Sequence, residues 1–148
     1  MGYYGPMTRT ETALKYFDEG CDCGKAILHA YEPVLNLDAK TRERYRASCS
    51  QLPGSPAEQC EAVSGAFEVL SHLYGPAAGG SADLLARFKA RFMATHDSTS
   101  CKKLLGYDLT YVKDLATVIE TDAVGHVCRE LVMQTCAILD DIIEEAPR

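Results

Sequence analysis

The feature that most constrains this chain is a succession of helix-start signals with no sustained two-residue alternation of apolar residues. A half-buried strand needs period two and a helix needs period 3.6, so the pattern specifies helices. Thr8 with Glu11 three residues on is a capping box, and Gly20 is a natural stop. Asp22 caps a second helix beginning at Cys23, with Ala26, Ile27, Ala30 and Tyr31 on one face. Asp38 opens a polar third helix reaching to about Cys49. Ser55, Pro56 and Glu58 read as N-cap, first helical residue and capping-box partner of a fourth. That helix carries Cys60, Val63, Phe67, Leu70 and Tyr74 and ends at Gly75-Pro76. Ser81 caps a fifth helix, a sixth runs roughly from Thr110 to Ile119, and Asp122 caps a long last one. The last helix sets Cys128, Leu131, Thr135, Ile138 and Ile142 on one stripe. The expected fold is all-α: a single compact bundle of about six to seven helices, forming one domain over residues 1–148.

Composition excludes several function classes. The net charge of -6 argues against nucleic acid, which requires a basic patch. Lys40, Arg42, Arg44 and Arg46 are interspersed with acidic residues and read as a solvated helix face. No apolar run approaches the ~20 residues that cross a bilayer, so no membrane insertion is expected. The first residues lack the basic-then-apolar pattern of a signal peptide, and the expected location is cytoplasmic.

Seven cysteines then become the informative residues: Cys21, Cys23, Cys49, Cys60, Cys101, Cys128 and Cys136. In a cytosolic chain they point to redox or metal chemistry before a disulfide framework. Cys23 and Cys60 fall near helix starts, and Cys101 follows a run of hydroxyl residues suited to capping a short helix. Unpaired N–H groups and the positive end of the helix dipole favour a thiolate there, so Cys23 is expected to be more acidic than a free thiol. Cys128 sits on the core stripe of the last helix. Cys136, eight residues further on, reads as packing. Cys21 reads at most as a resolving thiol. The four histidines share no ligand spacing, and there is no phosphate loop and no nucleophile elbow.

Gly20-Cys21-Asp22-Cys23-Gly24-Lys25-Ala26, Cys60-Glu61-Ala62-Val63-Ser64-Gly65-Ala66, Cys101-Lys102-Lys103-Leu104-Leu105-Gly106 and then Cys128 resemble the C_GCAxxG_C_C family of redox-active proteins. The resemblance extends from Leu14 to about Ile143. It implies that Cys23, Cys60, Cys101 and Cys128 form the family's cysteine set. Glu61 stands where the family has glycine.

Two mechanisms follow. Either two or more of these four form a thiol–disulfide couple, or all four thiolates hold an iron–sulfur cluster. A zinc site on the same four ranks behind, because the usual closely spaced ligand pairs are absent. The alternative class is a non-catalytic carrier or interaction module that binds a metal or sulfur species. The expected partners are a redox protein or a small thiol or sulfur species, and a homo-oligomer is compatible with either mechanism.

Overall fold

The computed structural model describes residues 7–47, 59–75, 80–108 and 111–146; the side chains of residues 44–47, Cys101 and Val124 lie outside that description. The expected N-cap signal Ser55-Pro56-Glu58, the Cys49 end of the third helix and most of the Gly-rich loop after Tyr74 also lie outside it.

The protein is all-helical, with eight α-helices among the described residues. These are α1 (Arg9–Asp18), α2 (Cys23–Leu35), α3 (Ala39–Ala47), α4 (Glu61–Tyr74), α5 (Ala82–His96), α6 (Cys101–Leu105), α7 (Val112–Thr121) and α8 (Arg129–Glu145). A π-helical turn, Val124–Cys128, leads directly into α8. The count exceeds six to seven because Cys101–Leu105 is a helix in its own right.

Local chemistry accounts for the first two helices. Thr8 Oγ1 accepts from the Glu11 N–H at 3.1 Å, and Glu11 Oε1 accepts from the Thr8 N–H at 3.0 Å, the reciprocal bonds of a capping box. At the other end of α1, Cys21 N–H donates to Tyr16 O and Gly20 N–H to Phe17 O. This is a Schellman closure, and it requires the left-handed backbone that Gly20 adopts at φ 109°. Asp22 Oδ1 accepts from the Lys25 N–H at 2.9 Å and starts α2. Asp38 does the same for α3, accepting from Thr41 at 2.7 Å.

Three helix starts differ from the sequence reading. α4 begins at Glu61 with Cys60 as its N-cap, so Cys60 stands before the helix and not inside it. The cause is tertiary: Cys60 N–H donates to Thr99 O at 2.7 Å, within an isolated antiparallel bridge between Gln59 and Ser100. Asp122 is the C-cap of α7, in the left-handed region at φ 52°, and not the N-cap of the last helix. Aspartate serves either role because its short polar side chain suits both an N-cap and a left-handed residue. Ser81 does precede α5 but makes no capping bond, and its hydroxyl is buried without a hydrogen-bond partner.

The core is built where α2 meets α4 and where α8 packs across both. Ile27 and Tyr31 of α2, Val63 and Leu70 of α4, and Val132 and Leu139 of α8 are fully buried in it. The α2–α4 crossing is close because both helices offer glycine. A Cβ built on Gly65 would lie 2.9 Å from Gly24 O and 3.1 Å from Ile27 Cβ. Gly24 follows Cys23 directly, so this contact sets the N-terminal ends of the two helices, and their cysteines, beside one another.

Candidate functional site: a buried thiol pair

Cys23 is the first residue of α2 and Cys128 the last of the π-helical turn. Both are almost wholly enclosed, at 7% and 8% exposure. Their sulfurs lie within hydrogen-bonding reach, the Cys23 thiol donating to Cys128. That bond lowers the Cys128 pKa, because the Cys23 S–H stabilises a Cys128 thiolate; burial opposes it. The same bond raises the Cys23 pKa well above the usual thiol range, and burial and the negative charges of Cys128, Cys60 and Asp22 add to the rise. The expectation that Cys23 would be unusually acidic is therefore overturned. Its position at a helix start is outweighed by the interaction with Cys128, by burial and by the electrostatic effect of Cys60 and Asp22. The acidic thiol of the pair is Cys128.

Cys60 is buried at 4% exposure, close enough for its charge to act on Cys23. Cys101 is the first residue of α6, and its side chain lies outside the described residues. Its backbone, however, directly follows Ser100, the partner of Gln59 in the bridge. The chain segments carrying Cys60 and Cys101 are thus paired through backbone, while α6 also packs on the π-helical turn that ends at Cys128. The hydroxyl run before Cys101 does not cap α6: Ser100 makes no side-chain cap, and Ser98 Oγ accepts from Ser100 N–H at 3.0 Å. Cys21, Cys23, Cys60, Cys128 and Cys136 are all thiols.

Cys136 is fully buried, with its thiol pushed up to about 12, first by burial and then by the Asp140 charge. It belongs to a separate polar knot. Tyr31 Oη donates to Asp140 Oδ1 at 2.7 Å, the Cys136 carbonyl lies 3.1 Å from the same hydroxyl, and Arg9 pairs with Asp140 at 3.0 Å. Asp140 is thus tied into the fold. Three histidines have polar partners, two within their own helix, His29 with Glu32 and His72 with Glu68, and one across helices, His96 with Gln134. Among the described residues, no three His, Cys, Asp or Glu side chains are grouped as a metal ion would require. No helix among the described residues is long and apolar enough to cross a membrane.

Sequence reasoning gave Lys25 no role. It is the third residue of α2 and only 3% exposed, and its ammonium makes no hydrogen bond. Its charge acts on Asp22, which also has one carboxylate oxygen buried without a hydrogen-bond partner. Desolvation raises the Asp22 pKa, and the Lys25 N–H and charge pull it back. The available signal was the run Cys23-Gly24-Lys25-Ala26-Ile27-Leu28, buried all round the first turns of the helix. A lysine inside such a run has no solvated face to occupy.

Among curated proteins and solved structures, none matches the chain. A family model described as "Putative redox-active protein (C_GCAxxG_C_C)" matches residues 21–142, which include Cys23, Cys60, Cys101 and Cys128. With most of its length accounted for by that one model, the chain belongs to the C_GCAxxG_C_C family.

Proposed function

We propose that this protein is a thiol–disulfide redox protein whose working couple is Cys23 and Cys128. The observation that carries the reading is the pairing of two buried thiols from distant parts of the chain, close enough for each to shift the other's proton affinity. Two sulfurs in such contact can be oxidised to a disulfide with little movement of the helices that hold them. The pair is also chemically asymmetric. Cys128 is the stronger thiolate former and so the attacking sulfur, while Cys23 retains its proton. In the oxidation, Cys23 attacks the partner's disulfide and passes its proton to the partner sulfur that is expelled. The Cys128 thiolate then attacks the Cys23 sulfur of this mixed disulfide, the Cys23–Cys128 bond forms, and the second partner sulfur leaves as a thiol. Two electrons pass from the protein to that partner. Reduction runs the same steps backwards. Cys60 and Asp22, both acting on Cys23 by charge, tune the couple toward the neutral Cys23 thiol.

A four-thiolate metal centre over Cys23, Cys60, Cys101 and Cys128 is the second reading. Its support is the Gln59–Ser100 bridge, which pairs the segments bearing Cys60 and Cys101. The test of both is a redox titration of protein purified without oxygen, with the cysteines mapped by mass spectrometry at each potential and metal content measured on the same sample. The dithiol reading expects a Cys23–Cys128 disulfide, formed in one two-electron step, in metal-free protein. Stoichiometric iron or zinc with all four thiols protected from alkylation would overturn it in favour of the centre.

A further inference from the structure

Direct access of a partner to the couple is restricted, since exchange requires the attacking sulfur to reach a sulfur of the incoming disulfide and both thiols are nearly enclosed. A cavity of about 560 Å³ lies between the turn that joins α1 to α2 and the π-helical turn. Gly20 and Cys21 form one wall, and Gly125, His126 and Arg129 form the other. These residues immediately flank the two buried sulfurs in the chain: Cys21 lies two residues before Cys23, and His126 two residues before Cys128. The first wall needs glycine, since Gly20 adopts φ 109°; in the second, the Asp122 carboxylate lies over Gly125, where a Cβ would displace it. Cys21 is half-buried, so its sulfur is more open than that of either buried thiol. Two residues of extended chain span at most about 7 Å, which leaves the Cys21 and Cys23 Cα atoms near the range of a disulfide, roughly 4.4–6.8 Å.

We infer that this cavity receives a low-molecular-weight disulfide and that Cys21 is the entry thiol, relaying oxidation through Cys23 to Cys128. The inference rests on the Cys23–Cys128 couple. Its volume suits a small ligand, since such sites run to about 300–1,000 Å³. The oxidant is a disulfide RSSR. The Cys21 thiolate attacks one sulfur, forming a Cys21–SR mixed disulfide and expelling RS⁻. Cys23 attacks the Cys21 sulfur as its proton passes to the departing sulfur of the second RS group, forming a Cys21–Cys23 disulfide. The Cys128 thiolate then attacks the Cys23 sulfur, and Cys21 departs as a thiolate. The protons lost by Cys23 and Cys128 are taken up by the two RS⁻. In sum, one RSSR and two protein thiols give two RSH and the Cys23–Cys128 disulfide.

The experiment treats reduced, anaerobic protein with oxidised glutathione, quenches with iodoacetamide over time and maps the adducts. Wild type is compared with Cys21→Ser, Cys23→Ser and Cys128→Ser, each checked for helical content. The relay expects Cys21→Ser to slow the Cys23–Cys128 disulfide by about tenfold or more, the direct route being restricted. It expects Cys23→Ser to accumulate one glutathione on Cys21, and Cys128→Ser to stop at a Cys21–Cys23 disulfide. An unchanged rate in Cys21→Ser would overturn the relay while leaving the couple intact. Failure of wild type to form any Cys23–Cys128 disulfide would remove the couple itself, and the relay with it.

Discussion

At Cys23 and Cys128 two identical side chains acquire opposite acid–base character from one hydrogen bond. The Cys23 S–H stabilises a thiolate at Cys128, and its own ionisation would forfeit that bond inside a buried site among other anions. The asymmetry predicts the outcome of replacing Cys23. In Cys23→Ala the donor is gone, so the Cys128 midpoint moves up and its alkylation at neutral pH slows severalfold. Rates of iodoacetamide labelling against pH, read peptide by peptide, would show this. Faster labelling of Cys128 in the variant would mean that burial, and not the bond, controls its reactivity. The sequence singled out both residues, through the family resemblance and through the core stripe that carries Cys128. It could not assign their acidities. A helix start suggested an acidic Cys23, and only the facing sulfur, on a distant segment, reverses that.

At the scale of elements, the contact that sets the site is the crossing of α2 on α4 at Gly24 and Gly65. Alanine at Gly65 would ordinarily gain about 1 kcal/mol in helix propensity. Here its methyl meets the Gly24 carbonyl oxygen at 2.9 Å and Ile27 Cβ at 3.1 Å, and backbone cannot rotate out of the way. Overpacking of this kind costs about 1–3 kcal/mol. Gly65→Ala is therefore expected to lower stability by a net of about 1 kcal/mol in urea denaturation, and to slow Cys23–Cys128 disulfide formation as α2 shifts. A variant more stable than wild type would show that the crossing has slack. The first three helix starts were legible, because Thr8, Asp22 and Asp38 cap through bonds within four residues of themselves. The start of α4 was not, because Cys60 is held by Thr99, a partner that local pattern does not reveal.

Across the whole molecule, three buried acids hold their protons more tightly than they would in an unfolded chain. Cys23 is raised first by its bond to Cys128, whereas burial is the leading cause for Cys136 and Tyr31. Each is neutral when protonated, so the unfolded chain loses its proton first as pH rises. The folded state then holds more protons than the unfolded one, and stability falls with increasing pH. The loss begins near pH 9 for the cysteines and near 10 for Tyr31, and for Cys136 it is complete near its folded value of about 12. Each group contributes a slope of roughly 1.4 kcal/mol per pH unit within its window. Cys128, lowered by its bond to Cys23, acts in the opposite sense: its contribution is present above the unfolded thiol value and is lost as pH falls through the folded one. The three raised groups outweigh it. Urea midpoints under reducing conditions are therefore expected to be level through neutral pH and to decline steeply above about pH 9. A flat profile to pH 11 would show that these groups titrate alike in both states.

The sequence by itself determined that the chain is helical, where several of its helices begin, which faces enter the core, and that it belongs to the C_GCAxxG_C_C family. Those properties follow from side-chain period and from caps that bond within one turn. Tertiary structure alone decided that Cys23 and Cys128 pair, that Cys60 stands outside its helix, and that Lys25 is enclosed. It also decided that Asp122 ends a helix and does not begin one. Each depends on a neighbour supplied by another segment, or on which of two permitted backbone states the surrounding packing selects, and neither is encoded in local spacing.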